Sequence, residues 1–388
     1  MQLVDTFTDQ LKSSAALILA ECLDGKSATY YNTSYYIHAL CSAVEGLHNL
    51  TVPAWWHTEP PADPTPKPTV LDQLVTYCDI MVNQSWGPLD SRGWHDQLST
   101  FQGAASIARA AAIILSTPQF ALQYADRARK YIAFVDNLII KPWFDKTTGV
   151  YNDSMLETFT KFKADYPGHL AGDIPWLSPD NGGQIGFQIW NDKCTHLGCI
   201  VTQLYLATGH PLYYEMALRI ARDFKLRLKP NKTGWIWDDG VDPKVWTEQW
   251  YADQSPCHDT SHTNREPFMV EMMYRAGIVF THDDVLRFCN TLTDTIWNQN
   301  LAAPQFTNYI DGTDGPFINQ KDPGAIGNIY FGWALLAPYS PKVFQVCYAT
   351  LEGIMNGQNI GQNNTTYGKL ALAGHLLRGL KSYLRAHV

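Results

Sequence analysis

Basic charge is the first shortage in this sequence. The chain sets 29 Lys and Arg against 37 Asp and Glu, a net charge of −8 over 388 residues. With no cationic excess to neutralise phosphates, a general nucleic-acid-binding surface is excluded. An acidic polymer is still compatible, because a local basic pocket can sit on an acidic protein. Long apolar runs are missing too. Residues 103–115, GAASIARAAAIIL, are too short for a bilayer and are interrupted by Arg109, so no membrane partner is expected. The start, MQLVDTFTDQLKSS, lacks the basic-then-apolar pattern of a secretory leader. Cys194 and Cys199 have no Cys-x-x-Cys partner, which argues against a structural zinc.

Other features are abundant. Asn-x-Ser/Thr occurs at Asn32, Asn49, Asn83, Asn152, Asn231, Asn363 and Asn364. This excess predicts a secreted glycoprotein whose leader lies outside the sequence. Eight scattered cysteines fit one to four disulfides in that setting. Apolar residues recur at i, i+3, i+4 and i+7 over 101–116, 121–140, 194–209, 211–228, 267–277, 282–299 and 368–386. Gly209 and Gly277 follow two of these helices where a left-handed cap belongs. Residues 124–153 and 213–239 share one plan: amphipathic helix, Lys-Pro, a Thr-Gly turn, then an aromatic extended piece ending in acids. Repeated helical hairpins at this length predict an all-α chain, an α/α-toroid of six or seven pairs forming one domain over 1–388. The Pro-rich stretch 53–69 reads as a loop wrapping that domain. Loop tryptophans supply flat faces on which sugar rings could stack; Trp94, Trp190 and Trp250 are the candidates, with His95, Tyr251 and His258 as polar neighbours.

The chemistry concentrates in SPCHDTSHTNREPF at 255–268. His258 and His262 are four apart, as zinc ligands on a helix would be. However, Asp259, Thr260 and Ser261 are N-cap residues and Pro267 suits a first turn, so the helix is predicted to begin between 261 and 266. His258 then precedes it, and no metal is expected. His262 and Arg265 would lie at a helix N-terminus, where free N–H groups and a guanidinium fork favour a carboxylate. A local alternative pairs Arg265 with Asp259 or Glu266. Asn191, Asp192 and His196 open another helix, Tyr309 sits in FTNYIDGTDG, and DDGVD at 238–242 mimics a magnesium motif where Gly240 and Pro243 forbid the helix it needs.

An arginine, histidines, an amide and a tyrosine around a sugar cleft suit β-elimination of a uronic-acid polymer. The carboxylate beside C5 is neutralised, a His or Tyr takes the C5 proton, and a Tyr protonates the leaving O4. In their order, NDKCTH, HDTSHTNRE and FTNYIDG resemble motifs of polysaccharide lyase family 38, helical-toroid enzymes acting on alginate or glucuronan. The resemblance implies that Asn191, His196, His262 and Arg265 hold the carboxylate and that Tyr309 is the acid, with Tyr251 its rival. It implies no metal or cofactor, an acidic polysaccharide substrate and a monomer. A C5-epimerase would use nearly the same residues. A glycoside hydrolase would need two carboxylates, drawn from Asp96, Asp192, Asp238, Asp239 and Asp259, and a glycan-binding module would need the tryptophans alone.

Overall fold

The predicted helical periodicity is realised as α-helix over most of the described residues. The computed structural model describes residues 2–24, 27–47, 69–84, 97–141, 173–177, 185–188, 191–237, 257–314, 327, 329, 331–360 and 365–386; the side chains of 27–29, 97–98, 173–177, 185–188, 191–194 and 223 are outside the description. Within these residues lie α1 (Gln2–Asp24), α2 (Ser27–Gly46), α3 (Val70–Asn83), α4 (Gln97–Ser116), α5 (Pro118–Val135), α6 (Asn191–Thr208), α7 (Pro211–Arg227), α8 (Arg265–Arg275), α9 (His282–Asn290), the single turn α10 (Phe331–Ala334), α11 (Pro341–Met355) and α12 (Thr366–Ala386). Strands are few: β1 (Asp173–Leu177) pairs antiparallel with β2 (Ile185–Gln188), and β3 (Lys229–Asn231) with β4 (Gly234–Ile236). The chain is all-α in class.

Local chemistry sets the boundaries. Pro118, Pro211 and Pro341 open α5, α7 and α11, where the missing N–H costs nothing. Gly209 and Gly277 adopt φ of +68° and +71° after α6 and α8, the left-handed cap that ends both helices. At α9 the Thr281 hydroxyl accepts from the Asp284 amide, while Asp284 Oδ2 accepts from the Thr281 amide at 2.7 Å and from Lys225 Nζ at 2.7 Å. Thr281→Ala breaks this box; a loss of about 1 kcal/mol is expected, read as a lower urea midpoint. The repeat is realised in its second copy, where α7 runs into the β3–β4 hairpin. In the first copy α5 ends in a π-turn, Asp136–Ile140, and 142–153 lie outside the described residues.

One hydrophobic core draws on helices from both ends of the chain, from Leu3 to Leu377. Helix α2 packs on α4, α4 on α6, α6 on α8, α8 on α10, α10 on α12, and α12 on α2. Where α2, α4, α8 and α12 meet, the interior is ionic. Arg109 donates to the His38 carbonyl (3.1 Å), to Ser42 Oγ (2.7 Å) and to Glu45 (2.7 Å). Glu45 also meets Arg275 at 2.6 Å and Arg378 at 3.3 Å. Arg378 reaches Glu271 at 2.6 Å, and the Tyr339 hydroxyl donates to the same carboxylate at 3.0 Å. Ser42 Oγ lies 2.6 Å from His375 Nδ1.

The disulfide expectation is corrected. Cys22, Cys41, Cys78, Cys199, Cys257, Cys289 and Cys347 are free thiols, and all but Cys257 are buried. Most lie on helix faces turned into the core, where they act as small apolar groups. Burial pushes the Cys41 and Cys289 thiols up to about 12, which keeps them unreactive. Alkylation of the denatured, unreduced protein should therefore label all seven.

Candidate active site

The stretch that stood out in the sequence folds as a pinned turn followed by a helix. His258 donates its amide to the Trp237 carbonyl (3.0 Å), and the Ile310 amide donates to the His258 carbonyl (3.2 Å). Asp259 and Tyr309 form a single antiparallel bridge, and the Thr260 amide donates to the Asn308 carbonyl at 2.9 Å. Residues 260–264 are turns, and α8 starts at Arg265, inside the predicted window. Two separate sequence motifs, 257–265 and 306–312, are thus brought edge to edge.

Asp259 organises the turn. Its Oδ1 accepts from the Ser261 amide (2.9 Å), the Ser261 hydroxyl (2.5 Å) and the His262 amide (3.0 Å). Its Oδ2 faces His262 Nδ1 at 2.7 Å. An ionised carboxylate only accepts, so Nδ1 carries the proton and Nε2 keeps its lone pair. Burial pushes the Asp259 carboxyl up, but His262, then His258 and Ser261, outweigh it and hold the group below the usual carboxylate range. The two partners differ in access: Asp259 is 1% exposed and the His262 side chain 44%. A buried carboxylate therefore fixes the tautomer and aim of a solvent-facing imidazole.

The expected anion pocket is corrected. The amides at the mouth of this turn are occupied by the Asp259 carboxylate itself. Arg265 is not presented as an open fork. It is 5% exposed, its Nη2 donates to the Tyr31 hydroxyl at 3.0 Å, and its guanidinium lies 6.0 Å from the Tyr31 ring centre. A weakly hydrated guanidinium accepts such enclosure when an aromatic face and an acceptor are at hand. Tyr31, half-buried on α2, is the functional candidate that sequence reasoning missed. Its oxygen accepts from Arg265, which leaves its own O–H to be donated. The available signal was the Tyr31, Tyr35 spacing, one helical turn on a single face; the Tyr35 ring packs edge-on at 5.2 Å from Tyr31 and 4.7 Å from Phe331.

The remaining predicted residues are placed as follows. His258 is buried beside Glu266, with Nδ1 3.7 Å from Oε1. The Tyr309 ring is 1% exposed, and burial, then Asp259 and Asp311, push its phenol up to about 12. That keeps it a proton donor and unsuits it as a base. His196 is buried on α6 rather than open to a cleft. It bears electrostatically on His38, which burial, Arg109, His375 and His196 together hold well below the usual imidazole range. Asn191 and Asp192 open α6, with side chains outside the description. Trp94, His95, Trp190, Trp250 and Tyr251 lie outside the described residues, as do 53–68, Asp96 and the stretch 238–242. Of the loop tryptophans, Trp237 is core, packed on Phe288 at 5.0 Å, and Trp235 carries the Arg287 guanidinium at 4.7 Å. Neither is an open sugar platform.

No protein family, curated protein or solved structure matches this chain.

Proposed function

We propose that the chain is a polysaccharide lyase that cleaves a uronic-acid-containing polymer, of the alginate or glucuronan type, by metal-independent β-elimination. The observation that carries this reading is the Asp259–His262 pair: a buried carboxylate 2.7 Å from Nδ1 of a solvent-facing imidazole. Such a pair supplies a general base at neutral pH. Nε2 of His262 takes the C5 proton, which is acidified by the adjacent carboxylate. Tyr31, with Arg265 behind it, donates to the oxygen that leaves C4. Tyr309 steadies Asp259 through the main chain.

The helix neighbours support the toroid half of the reading. The circuit α2, α4, α6, α8, α10, α12 and back to α2 closes on itself; α5 packs on α4, α7 on α6 and α8, α11 on α12 and α10, and α1 on α12 and α2. A glycoside hydrolase is less well supported. Asp259 and Glu266 are both buried, whereas a hydrolase needs its carboxylates beside the glycosidic bond; Asp96, Asp238, Asp239 and the Asp192 side chain lie outside the described residues.

Incubation with alginate, glucuronan and a neutral glycan tests the reading. Ultraviolet absorbance and reducing ends should rise together on a uronan. Reducing ends without absorbance would establish hydrolysis instead, and a change in uronate stereochemistry without cleavage would establish epimerisation. No helix among the described residues is long and apolar enough to cross a membrane, and secretion rests on the sequons alone. Asn83 is exposed at the end of α3, whereas the Asn32 amide donates to the Tyr367 hydroxyl at 3.0 Å. Glycan mapping of secreted protein should find Asn83 modified and Asn32 bare.

A further inference from the structure

Starting the helix after His258 was expected to part the two histidines. The pinned main chain does the opposite. The imidazole planes of His258 and His262 are 8° from parallel, with centroids 6.0 Å apart. One ring nitrogen of each and a carboxylate oxygen of Asp259 lie within 4.8 Å of one another. We infer that His258, Asp259 and His262 bind a divalent transition-metal ion of the Zn²⁺ class.

The donor set decides the class. Two imidazoles and one carboxylate suit Zn²⁺ or Co²⁺, whereas Ca²⁺ and Mg²⁺ call for oxygen ligands. Asp259 is ready to bind through one oxygen: Oδ1 holds three N–H and O–H donors, and Oδ2 faces the His262 ring. Donors on a tetrahedral ion at about 2.0–2.1 Å stand about 3.3 Å apart. The 2.7 Å contact must therefore open slightly and the widest gap, 4.8 Å, must close. Small side-chain rotations, that of the half-exposed His262 ring among them, are needed to bring the three donors to these distances. Glu266, fully buried with Oε1 3.7 Å from His258 Nδ1, stands where a carboxylate orients a metal-binding histidine from outside the ligand shell. Asp259 brings a carboxylate to balance the ion, while Arg265 turns away to Tyr31.

Binding has a consequence that rests on the lyase reading, though the binding itself does not. An ion on His262 Nδ1 moves the ring proton to Nε2 and removes the lone pair that would take the C5 proton. Occupancy and base action then exclude each other, and Zn²⁺ is an inhibitor.

Chelator-treated protein titrated with Co²⁺ and with Zn²⁺, followed by calorimetry and by the visible bands of Co²⁺, tests the site. One ion per chain is expected, with nitrogen-ligand Co²⁺ bands and a raised melting temperature. His258→Gln should weaken binding by more than about 100-fold, beyond the loss usual for an outer-shell change. His262→Gln should do the same, and its exposed position keeps the fold intact if His258→Gln melts early. No saturable binding, or binding unchanged in His262→Gln, would overturn the site. Ion binding with uronate cleavage unimpaired would move the base away from His262 and leave the metal site standing. Cleavage lost in His262→Gln by a protein that binds no ion would remove the metal site and leave the lyase reading standing.

Discussion

His262→Gln is expected to lower uronate cleavage by about 10²–10⁴-fold, the range that one positioned general base contributes. The melting temperature should barely move, because the ring is 44% exposed and its loss opens no cavity. Asp259→Asn should cost nearly as much activity for a different reason. Its Oδ1 can still accept from Ser261 and the His262 amide, so the turn persists. Its Nδ2, however, would donate to His262 Nδ1 and force the ring proton onto Nε2. The wrong tautomer is then locked in place. If Asp259→Asn kept wild-type turnover, the carboxylate would be a turn cap alone. Tyr31→Phe should reduce turnover while leaving substrate affinity nearly unchanged, since a donor to the leaving oxygen acts in the transition state.

The largest stability effect is expected in the ionic interior. Glu271 and Glu45 are set against Arg109, Arg275 and Arg378, with Glu271 1% exposed. Glu271→Gln leaves three guanidiniums to one carboxylate, with Arg109 and Arg378 buried and Arg275 half-exposed, and a loss of about 3 kcal/mol is expected, measured by urea unfolding. Replacing Arg378 and Glu271 together by apolar residues of similar volume should cost much less than either change alone, because no buried charge is then left unmatched. The same network shapes acid unfolding. Burial pushes the Glu45 carboxyl up, but Arg378, Arg109 and Arg275 outweigh it and hold the group well below the usual range. A depressed carboxyl contributes stability that is present above the unfolded value, about 4.3, and is lost as pH falls toward the folded one. Stability should thus fall steadily as pH drops below about 4.3, and Glu45→Gln should flatten that slope.

The amphipathic helices were legible because one face of each meets water. Periodicity placed α7 and α12 to within two residues, while the predicted 282–299 overran α9, which passes into a π-turn over 291–296; α8 starts inside the predicted window, but its N-cap is Asn264 and not the run Asp259–Thr260–Ser261. Helix α2 was not legible. Almost every residue from Tyr30 to Val44 is buried, polar Thr33, Ser34, His38 and Ser42 included, so no apolar stripe marks it. That hid Tyr31 as well. Arg109 appeared only as an interruption of an apolar run, because its partners His38, Ser42 and Glu45 are more than sixty positions away in the chain. In the site itself the sequence singled out His262 and Arg265 and turned both toward a substrate carboxylate, whereas the structure faces His262 to solvent and buries Arg265 against Tyr31. Which of two neighbouring polar groups turns outward depends on partners such as Tyr31 and Tyr309, brought in by other elements. The role of Asp259 was hidden for the same reason: a capping residue and a histidine-orienting carboxylate look alike until the ring is placed.

Proton removal from C5 of a uronate is the step on which the account stands. A uronan incubated with the enzyme in D₂O, its products resolved by NMR, tests that step directly. The expected result is loss of the C5 proton, to a 4,5-double bond at the new non-reducing ends, or to deuterium where cleavage does not follow. Shortened fragments that retain every C5 proton would contradict it, and would give the bond-breaking role to a pair of carboxylates instead.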